Sequence, residues 1–274
     1  MSMYGGKKVL ITGASAGIGY ALSGELAKRG SEVIITARRK DKLEALAQKI
    51  EDAGGKAHIF VEDLSLPESG IKLYNQIKSA GLNVDILINN AGYGRWGELT
   101  SYERDDYSKM LQLNVTTLTD LCHLYITDMV AQGGGGIINV GSMASLSPIP
   151  YASVYSSSKA YVLMFSEAIR YEYQDKEIKV MALLPGGTES EFASVATEKS
   201  EKLTKRNQER EGSAAGGAMQ TSLEVAIECL DAFEKNKQYF LCGGRNRFLY
   251  NLTRIMSRQR VLEMTGRMFK KTAG

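Results

Sequence analysis

The sequence Thr12-Gly13-Ala14-Ser15-Ala16-Gly17-Ile18-Gly19 lies between a short strand-like run, Lys8–Thr12, and a helical pattern, Gly19–Arg29. Glycines at such a junction let the backbone turn sharply and approach a phosphate group closely. The first turn of the helix adds free N–H groups and a partial positive charge. A glycine-rich turn alone is weak evidence in a chain with 28 glycines, but its place between a strand and a helix predicts a site for the pyrophosphate of a dinucleotide.

Strand-like and helical stretches alternate along most of the chain. Several strand candidates are nearly continuous apolar runs, as expected when helices cover both faces of a parallel sheet. The seven candidates are Val9–Thr12, Glu32–Ala37, Ala57–Val61, Val84–Asn89, Gly136–Gly141, Lys179–Leu184 and Tyr239–Cys242. A helical stretch between the second and third, Asp41–Ala53, ends at Gly54-Gly55. Repeated βα units predict an α/β fold: a doubly wound (Rossmann) parallel sheet of about seven strands in a three-layer α/β/α arrangement.

Length and composition favour one large domain. A chain of 274 residues with 43% hydrophobic and 24% charged residues predicts a single Rossmann-type catalytic domain over residues 1–243. No run reaches the ~20 consecutive apolar residues that span a membrane. The first strand-like run begins too early for a signal peptide, so a cytoplasmic location is expected. Three scattered cysteines and two histidines predict neither a disulfide framework nor a metal site.

Two segments interrupt the alternation. Residues 189–220 are polar and charged and end in a glycine-rich stretch, which is typical either of a mobile lid or of a disordered surface insertion. Residues 244–274 form a basic extension with eight basic residues and one acidic residue. The net charge of +3 therefore combines a basic tail with a mildly acidic body, and a nucleic-acid partner is not expected.

The basic tail is compatible with an amphipathic helix over Arg247–Lys271. Its arginines cluster on one face and its apolar side chains on another; the apolar ones are Phe248, Leu252, Ile255 and Leu262, with Leu249 and Met256 beside them. Such a helix can dock on its own domain or on a second subunit, lie on an anionic membrane surface, or stay partly disordered. The sequence favours docking over the membrane.

The end of the second strand candidate predicts which dinucleotide is bound. An acidic residue ~20 residues after the glycines binds the ribose 2′-hydroxyl of NAD in this kind of fold. Ala37 occupies that position, and Arg38 and Arg39 follow it. A guanidinium can bind a 2′-phosphate with paired charge-assisted hydrogen bonds, which favours NADP(H) with Arg38 as the main contact. The alternative is that both arginines are the solvated start of a helix.

The candidate chemical centre is the segment Tyr155-Ser-Ser-Ser-Lys159, which places Tyr155 and Lys159 on one helix face. Such a pair is common by chance. The pair becomes evidence for a chemical centre because Ser142 comes directly after the fifth strand candidate and Asn114 lies in the preceding helix. Together with the glycine turn and Asn89-Asn90-Ala91-Gly92 after the fourth strand candidate, these residues resemble the short-chain dehydrogenase/reductase (SDR) superfamily in its short single-domain branch. The resemblance covers about residues 7 to 243.

The resemblance implies a catalytic tetrad, Asn114, Ser142, Tyr155 and Lys159, and a set of cofactor contacts. Asp63 would contact the adenine amino group, and the turn Pro185-Gly186 would abut the nicotinamide. The carboxamide would be bound by Thr188 or by Ser190. The expected cofactor-binding residues are Gly13, Ser15, Gly17, Ile18, Gly19, Arg38, Arg39, Asp63, Leu64, Asn90, Ala91, Gly92, Tyr155, Lys159, Pro185, Gly186, Thr188 and Ser190.

The chemistry explains why these residue types are needed. Hydride that arrives at a carbonyl carbon creates an alkoxide, and Tyr155 can protonate it, but an ordinary phenol has a pKa of about 10. The Lys159 ammonium is expected to lower that pKa by ~2–3 units, which is equivalent to roughly 3–4 kcal/mol. Ser142 would orient the substrate oxygen. Asn114, at a local helix distortion, would hold a water that links Lys159 to solvent.

The sequence therefore predicts an NADP(H)-dependent oxidoreductase that acts on a carbonyl or alcohol. The alternative is a non-catalytic NADP-sensing or scaffold protein on the same fold. Candidate pocket residues are mostly apolar and suggest a hydrophobic substrate, although core packing explains them equally well; they are Trp96, Met143, Leu146, Tyr151 and Phe192. Arg95 would face an anionic substrate or solvent. The expected assembly is a homodimer or homotetramer, in which the tail could block a second interface.

Overall fold

The structure is a computed structural model that describes residues 2–189, 192, 196 and 219–273. Its strands are β1 (Lys8–Thr12), β2 (Glu32–Ala37), β3 (Lys56–Val61), β4 (Ile86–Asn89), β5 (Gly135–Val140), β6 (Ile178–Leu184), β7 (Thr188–Glu189), β8 (Gln220–Thr221) and β9 (Tyr239–Leu241). Its helices are α1 (Gly17–Lys28), α2 (Lys40–Asp52), α3 (Ser69–Ser79), α4 (Arg104–Leu111), α5 (Leu118–Ala131), α6 (Ser153–Tyr173), α7 (Ser222–Glu234), α8 (Gly244–Arg254) and α9 (Arg258–Ala273).

Seven of the strands form one parallel sheet in the order β3-β2-β1-β4-β5-β6-β9. The order reverses between β1 and β4, so the sheet is doubly wound and its helices lie on both faces. Every predicted strand coincides with an observed one to within two residues at either end. The predicted fold class, a three-layer Rossmann sheet of seven strands, is confirmed.

The central strands are buried on both faces, which explains their continuous apolar sequences. In β1, Val9 and Ile11 belong to the core on the side of α1, together with Leu22 of that helix. Leu10, between them, belongs to the core on the opposite face, which includes Leu121 of α5. Burying each of these side chains contributes roughly 1.5–3 kcal/mol, so both layers hold the sheet. The carboxyl ends of its strands are thereby fixed close together at one edge.

The segment predicted as a lid, residues 189–220, lies largely outside the described residues. Its two ends are described, and they meet: β7 pairs in parallel with β8 in a separate two-stranded sheet. A capping box follows, in which Thr221 accepts a hydrogen bond from the backbone of Glu224 at the start of α7. The segment therefore leaves from and returns to one place beside the carboxyl end of β6.

The tail forms two helices, α8 and α9, and not the single helix predicted over Arg247–Lys271. The apolar side chains predicted to dock are exposed, and Ile255, between the two helices, is 86% exposed. The opposite side of α8 docks instead, because Tyr250 packs against the cluster formed by Ala182, Leu184 and Leu241. The spacing of the apolar residues predicted an apolar face on the tail helix, but not which face of the helix packs against the domain. None of the helices within the described residues is long and apolar enough to cross a membrane.

Candidate active site

The glycine turn after β1 has the geometry that a phosphate-binding turn needs. Gly13 and Gly17 have φ angles of +69° and +56°, a region that side chains disfavour. A Cβ atom on Gly13 would also lie 2.9 Å from the Cα atom of Ala91. Helix α1 begins at Gly17, and its N-cap residue, Ala16, has only a methyl side chain. The first-turn N–H groups of α1 therefore remain available to a ligand, while Ile18 packs against the core.

The segment Asn89-Asn90-Ala91-Gly92 fastens this turn to the neighbouring strand. The backbone N–H groups of Asn90 and Ala91 donate to Thr12 Oγ1 at 3.0 and 2.9 Å. The side chain of Asn90 donates to the carbonyl oxygen of Thr12 at 2.9 Å. One strand further, Asn89 Nδ2 donates to Asn139 Oδ1 at 2.9 Å in the buried sheet. The turn is thus held rigidly at the point where the strand order reverses.

Two arginines lie beside the turn, as the sequence predicts, and they make different contacts in this structure. Arg39 donates to Ser15 Oγ from Nε and Nη2, at 3.3 and 3.1 Å, and so lies against the glycine turn itself. Arg38 lies further out, with Nη1 3.9 Å from Asp63 Oδ2. Asp63 is in turn fixed by Ser65, whose N–H and hydroxyl donate to Oδ1 at 3.0 and 2.7 Å. Arg39, rather than Arg38, is the arginine in contact with the phosphate-binding turn.

The residues at the ends of β1, β2 and β3 fit a dinucleotide that carries a 2′-phosphate. Ala37 ends β2, so no carboxylate stands where one would contact a ribose 2′-hydroxyl, and two guanidinium groups lie just beyond it. Leu64 is buried in the core below this edge. A glycine turn without room for a side chain at Gly13, beside a free helix N-terminus, completes a site for the pyrophosphate.

Tyr155 and Lys159 lie one turn apart on α6, and both are buried. Ser142, directly after β5, lies close enough to Tyr155 to lower its pKa, and the Ser142 hydroxyl accepts from the N–H of Ala144 at 3.1 Å. Lys159 Nζ donates to the carbonyl oxygen of Val140 at 2.8 Å. The strand end and the helix therefore bring Ser142, Tyr155 and Lys159 into one site.

Asn114 joins the same site from a distorted helix. The six residues Gln112–Thr117 between α4 and α5 form a π-helical turn, the local distortion that the sequence analysis expects there. Asn114 Oδ1 accepts from the N–H of Tyr93 at 3.2 Å, and Nδ2 donates to the carbonyl oxygen of Tyr93 at 3.0 Å and to Ser158 Oγ at 3.1 Å. A Cβ atom on Gly92 would lie 3.0 Å from Asn114 Oδ1 and 3.2 Å from Lys159 Nζ. The side chains of Asn114 and Lys159 therefore both lie next to Gly92.

Burial controls the proton affinities of the central pair. It raises the pKa of Tyr155 to about 12, while the hydrogen bond with Ser142 acts in the opposite direction. It lowers the pKa of Lys159 to about 8. The expected lowering of the Tyr155 pKa by Lys159 is not seen in this structure, where burial is the larger influence on that pKa. Burial disfavours the Tyr155 phenolate and the Lys159 ammonium when either is the only charge in the site. The two opposite charges stabilise each other when both are present.

The Pro185-Gly186 turn after β6 has a neighbour that sequence reasoning missed. The carbonyl oxygen of Pro185 accepts from the N–H of Met143 at 2.9 Å, and Thr188 Oγ1 donates to the carbonyl oxygen of Gly186 at 3.2 Å. Asn246 of α8 lies directly against Gly186, where any Cβ atom would collide with its amide. The tail therefore touches the turn expected to abut the nicotinamide. Ser190, the other candidate for the carboxamide, lies outside the described residues.

The residues predicted to line the substrate pocket separate into two groups. Phe192 lies 5.5 Å from Tyr155 between ring centroids, and Trp96 lies 6.5 Å from Phe192. Met143 and Leu146 instead pack with Ala182, Leu184 and Leu241 beneath α8. For Met143 and Leu146, the alternative that they are packing residues and do not line the pocket is correct.

Arg95 is neither solvated nor open to a substrate. Its side chain is only 12% exposed, and Nη2 lies 3.7 Å from Asp106 Oδ1. Its guanidinium also lies over the rings of Tyr93 and Tyr102, at 5.1 and 5.5 Å. The structure thus assigns Arg95 to a packed ion pair beside the cleft. The remaining predicted residue, Tyr151, accepts a 2.7 Å hydrogen bond from the N–H of Gly97 through its carbonyl oxygen.

Comparison with known proteins matches most of the chain to one family. The family model for short chain dehydrogenases matches residues 7–201. The chain is 37% identical over 183 residues to 17-beta-hydroxysteroid dehydrogenase type 3 of Homo sapiens, covering 66% of this chain and 58% of that protein. It is 29% identical over 267 residues to 7beta-hydroxysteroid dehydrogenase of Clostridium sardiniense, covering 96% of each. The chain spans about three fifths of the length of the first curated relatives it matches.

Among solved structures, a short-chain dehydrogenase from Sphingobium yanoikuyae in complex with NADPH is similar in fold and sequence. The TM-score is 0.75 at 27% identity, over 90% of this chain and 94% of that one. The fold of the chain is therefore shared with a dehydrogenase whose structure contains NADPH.

Proposed function

The chain belongs to the short-chain dehydrogenase family, and we propose that it is an oxidoreductase that transfers hydride between NADP(H) and an apolar ketone or secondary alcohol, with Tyr155 as general acid and base. One observation carries this proposal. Ser142, Tyr155, Lys159 and Asn114 converge from β5, α6 and a π-helical turn at the carboxyl edge of the sheet. Edges of this kind are where parallel α/β sheets bind their ligands.

The preference for NADP(H) is supported by the residues at the end of β2. Arg39 is held on Ser15 at the glycine turn, and Arg38 lies close to Asp63. Two guanidinium groups can share a 2′-phosphate through charge-assisted hydrogen bonds, whereas Ala37 offers no acceptor for the 2′-hydroxyl of NAD. The bound cofactor would supply the hydride, and the chain's own residues hold and move the proton.

In the reducing direction, the carbonyl carbon of the substrate gains the hydride and its oxygen gains the proton of the Tyr155 hydroxyl, which leaves an alcohol and a tyrosinate. The Ser142 hydroxyl, already in contact with Tyr155, orients the carbonyl oxygen. A protonated Lys159 stabilises the tyrosinate, since each charge alone is penalised by burial. Asn114, in contact with the edge of the same site, provides the polar route by which a solvent proton returns to Tyr155.

The substrate class is supported by the walls of the cleft and by the relatives. Phe192 presents an aromatic ring next to Tyr155 and Trp96 lies behind it, while Arg95 is paired with Asp106 rather than offered to an anion. Two of the relatives named above are hydroxysteroid dehydrogenases. We therefore propose a rigid, ring-containing ketone or secondary alcohol as the small-molecule substrate, and a homodimer or homotetramer as the assembly.

The test is a screen of ketones with NADPH and with NADH, which follows the absorbance of the reduced cofactor. Tyr155→Phe removes the acid, and we expect it to lower kcat at least about 100-fold on any accepted ketone. Tyr161→Phe is the matched control, because Tyr161 lies on the same helix and its hydroxyl meets Thr119, away from the site. Full turnover by Tyr155→Phe would contradict the mechanism. No turnover of any ketone would instead favour the non-catalytic, NADP-sensing role.

A further inference from the structure

A row of aromatic rings connects the chemical centre to the tail. It runs from Tyr155 to Phe192 and from Phe192 to Trp96, with ring centroids 5.5 and 6.5 Å apart. From Trp96 it continues to Phe269 of α9, at 5.9 Å and an interplanar angle of 87°. Edge-to-face contacts at these distances are the favourable geometry for aromatic pairs. The last helix of the chain is therefore linked to Tyr155 through two intervening aromatic rings.

Further contacts fix α9 against the loop between Ser142 and α6. Val261 and Thr265, one turn apart, are buried on its inner side. Thr265 Oγ1 lies within hydrogen-bond reach of the carbonyl oxygen of Pro148 at 3.4 Å. A Cβ atom on Gly266 would meet the ring of Pro150 at 3.4 Å. The loop that carries Ser142 at its start is thus covered by the tail.

We propose that α9 is the outer wall of the substrate cleft, and that Phe269, with Trp96, selects bulky, rigid, fused-ring ketones over small ones. This inference rests on the proposed function, because it concerns the substrate of the same site. Among the residues of α9 whose side chains are described, the basic ones are exposed, so this part of the wall meets the substrate with Phe269 and not with a charge; they are Arg258, Arg260, Arg267 and Lys270. An aromatic wall gains most from a ligand that buries a large apolar face.

The first experiment measures binding without turnover. Protein saturated with NADP⁺, which has no hydride to donate to a ketone, is titrated calorimetrically with cyclohexanone, 2-decalone and a tetracyclic ketosteroid. We expect Phe269→Ala to weaken binding of the tetracyclic ketone about tenfold and to leave cyclohexanone unchanged. Phe269→Leu, which keeps apolar bulk, should bind nearly as the wild type does. Met268→Ala is the matched control, because Met268 is adjacent and 57% exposed.

The second experiment reports the docking of α9 directly. Trp96 is the only tryptophan of the chain, so tryptophan fluorescence reports the surroundings of this one ring, which include Phe269. In the absence of any ligand, Phe269→Ala should shift its emission to the red and increase its quenching by acrylamide, and Met268→Ala should change neither. Unchanged quenching in Phe269→Ala would overturn the proposal, as would equal loss of affinity for all three ketones.

The two hypotheses fail in different ways. If Phe269→Ala weakens binding of large ketones more than of small ones and increases the quenching of Trp96, α9 is the wall of the cleft. This conclusion holds even if no ketone is reduced when NADPH replaces NADP⁺. That combination would overturn only the proposed reaction. If the protein reduces ketones and Phe269→Ala has the same size preference as the wild type, the proposed reaction is supported. The proposal that α9 is the wall of the cleft is then contradicted.

Discussion

Lys159 Nζ donates a 2.8 Å hydrogen bond to the carbonyl oxygen of Val140, the last residue of β5. The carbonyl oxygen of Lys159 in turn accepts from Ser145 Oγ at 2.7 Å. Helix α6 is therefore attached at one residue both to the strand before Ser142 and to the short turn after it. Because Tyr155 precedes Lys159 by one turn, these two bonds fix the separation of Tyr155 and Ser142 before any ligand binds.

The buried ammonium makes stability depend on pH. Burial lowers the pKa of Lys159 from its ordinary 10.5 to about 8. Between pH 8 and 10 the unfolded chain therefore binds more protons than the folded one, and the free energy of unfolding rises with pH. Lys159→Met removes this contribution, so its melting temperature should rise less than that of the wild type from pH 8 to 10. The exposed Lys42→Met is the control, and equal slopes for Lys159→Met and the wild type would contradict the prediction.

Tyr155 gives a second pH signal of opposite sign. Burial raises its pKa to about 12, so above pH 10 the unfolded chain loses this proton before the folded one does. The free energy of unfolding should therefore fall as pH rises from 10 towards 12. Tyr155→Phe abolishes this term, and thermal unfolding over the same range should show a shallower decline than in the wild type. A decline as steep as that of the wild type would show that Tyr155 is not the group responsible.

Asn114 is expected to matter for both rate and stability. Asn114→Ala removes the side-chain bonds to the backbone of Tyr93 and to Ser158, and it leaves buried polar groups unpaired, at a cost of about 1–3 kcal/mol. We expect a lower melting temperature and a kcat reduced by roughly 10-fold or more, since the proton route loses its polar link. Thr116→Ala, on the exposed side of the same π-helical turn, should leave both values unchanged. A stability loss with wild-type kcat would make Asn114 a purely structural residue.

Much of the fold and the centre of the site could be predicted because they depend on local patterns. Continuous apolar runs fixed the strands, and parallel strands carry their carboxyl ends to one edge, so residues directly after them had to meet. The position of Ser142 directly after a strand was recognised in this way, and Asn90 was expected from the family resemblance. The π-helical distortion at Asn114 was expected from the family resemblance and is present.

What could not be predicted depends on packing between distant segments. Phe269 meets Trp96 across more than 170 positions, and Asn246 meets Gly186 across sixty. The hydrophobic pattern of the tail identified Phe248 and Leu252, which remain exposed, because periodicity does not say which side of a helix a surface accepts. Arg95 likewise depends on Asp106, which only the folded loop brings within reach.

The contact between Arg39 and Ser15 gives a test of cofactor preference. Arg39→Ala should lower kcat/KM for NADPH by roughly 10–100-fold, which corresponds to the loss of paired charge-assisted hydrogen bonds. It should change kcat/KM for NADH by less than about twofold. Arg38→Ala should have the smaller effect, since Arg38 lies on Asp63. Lys40→Ala, the next exposed cation along the chain, is the control. Equal losses with NADPH and NADH would mean that Arg39 supports the turn and does not read the 2′-phosphate.

The outer face of α6 gives a test of assembly. Met164 and Tyr171, seven residues and two turns apart, are 71% and 77% exposed on one side of this helix. Large apolar side chains exposed together are typical of an interface. We expect a homodimer in solution, measured by light scattering, that the double variant Met164→Glu/Tyr171→Glu converts to a monomer because it buries charge there. Ile255→Glu, which places the same charge on the exposed stripe of the tail, should remain dimeric. A double variant that keeps the wild-type mass would exclude this face, and a monomer from Ile255→Glu alone would assign the interface to the tail.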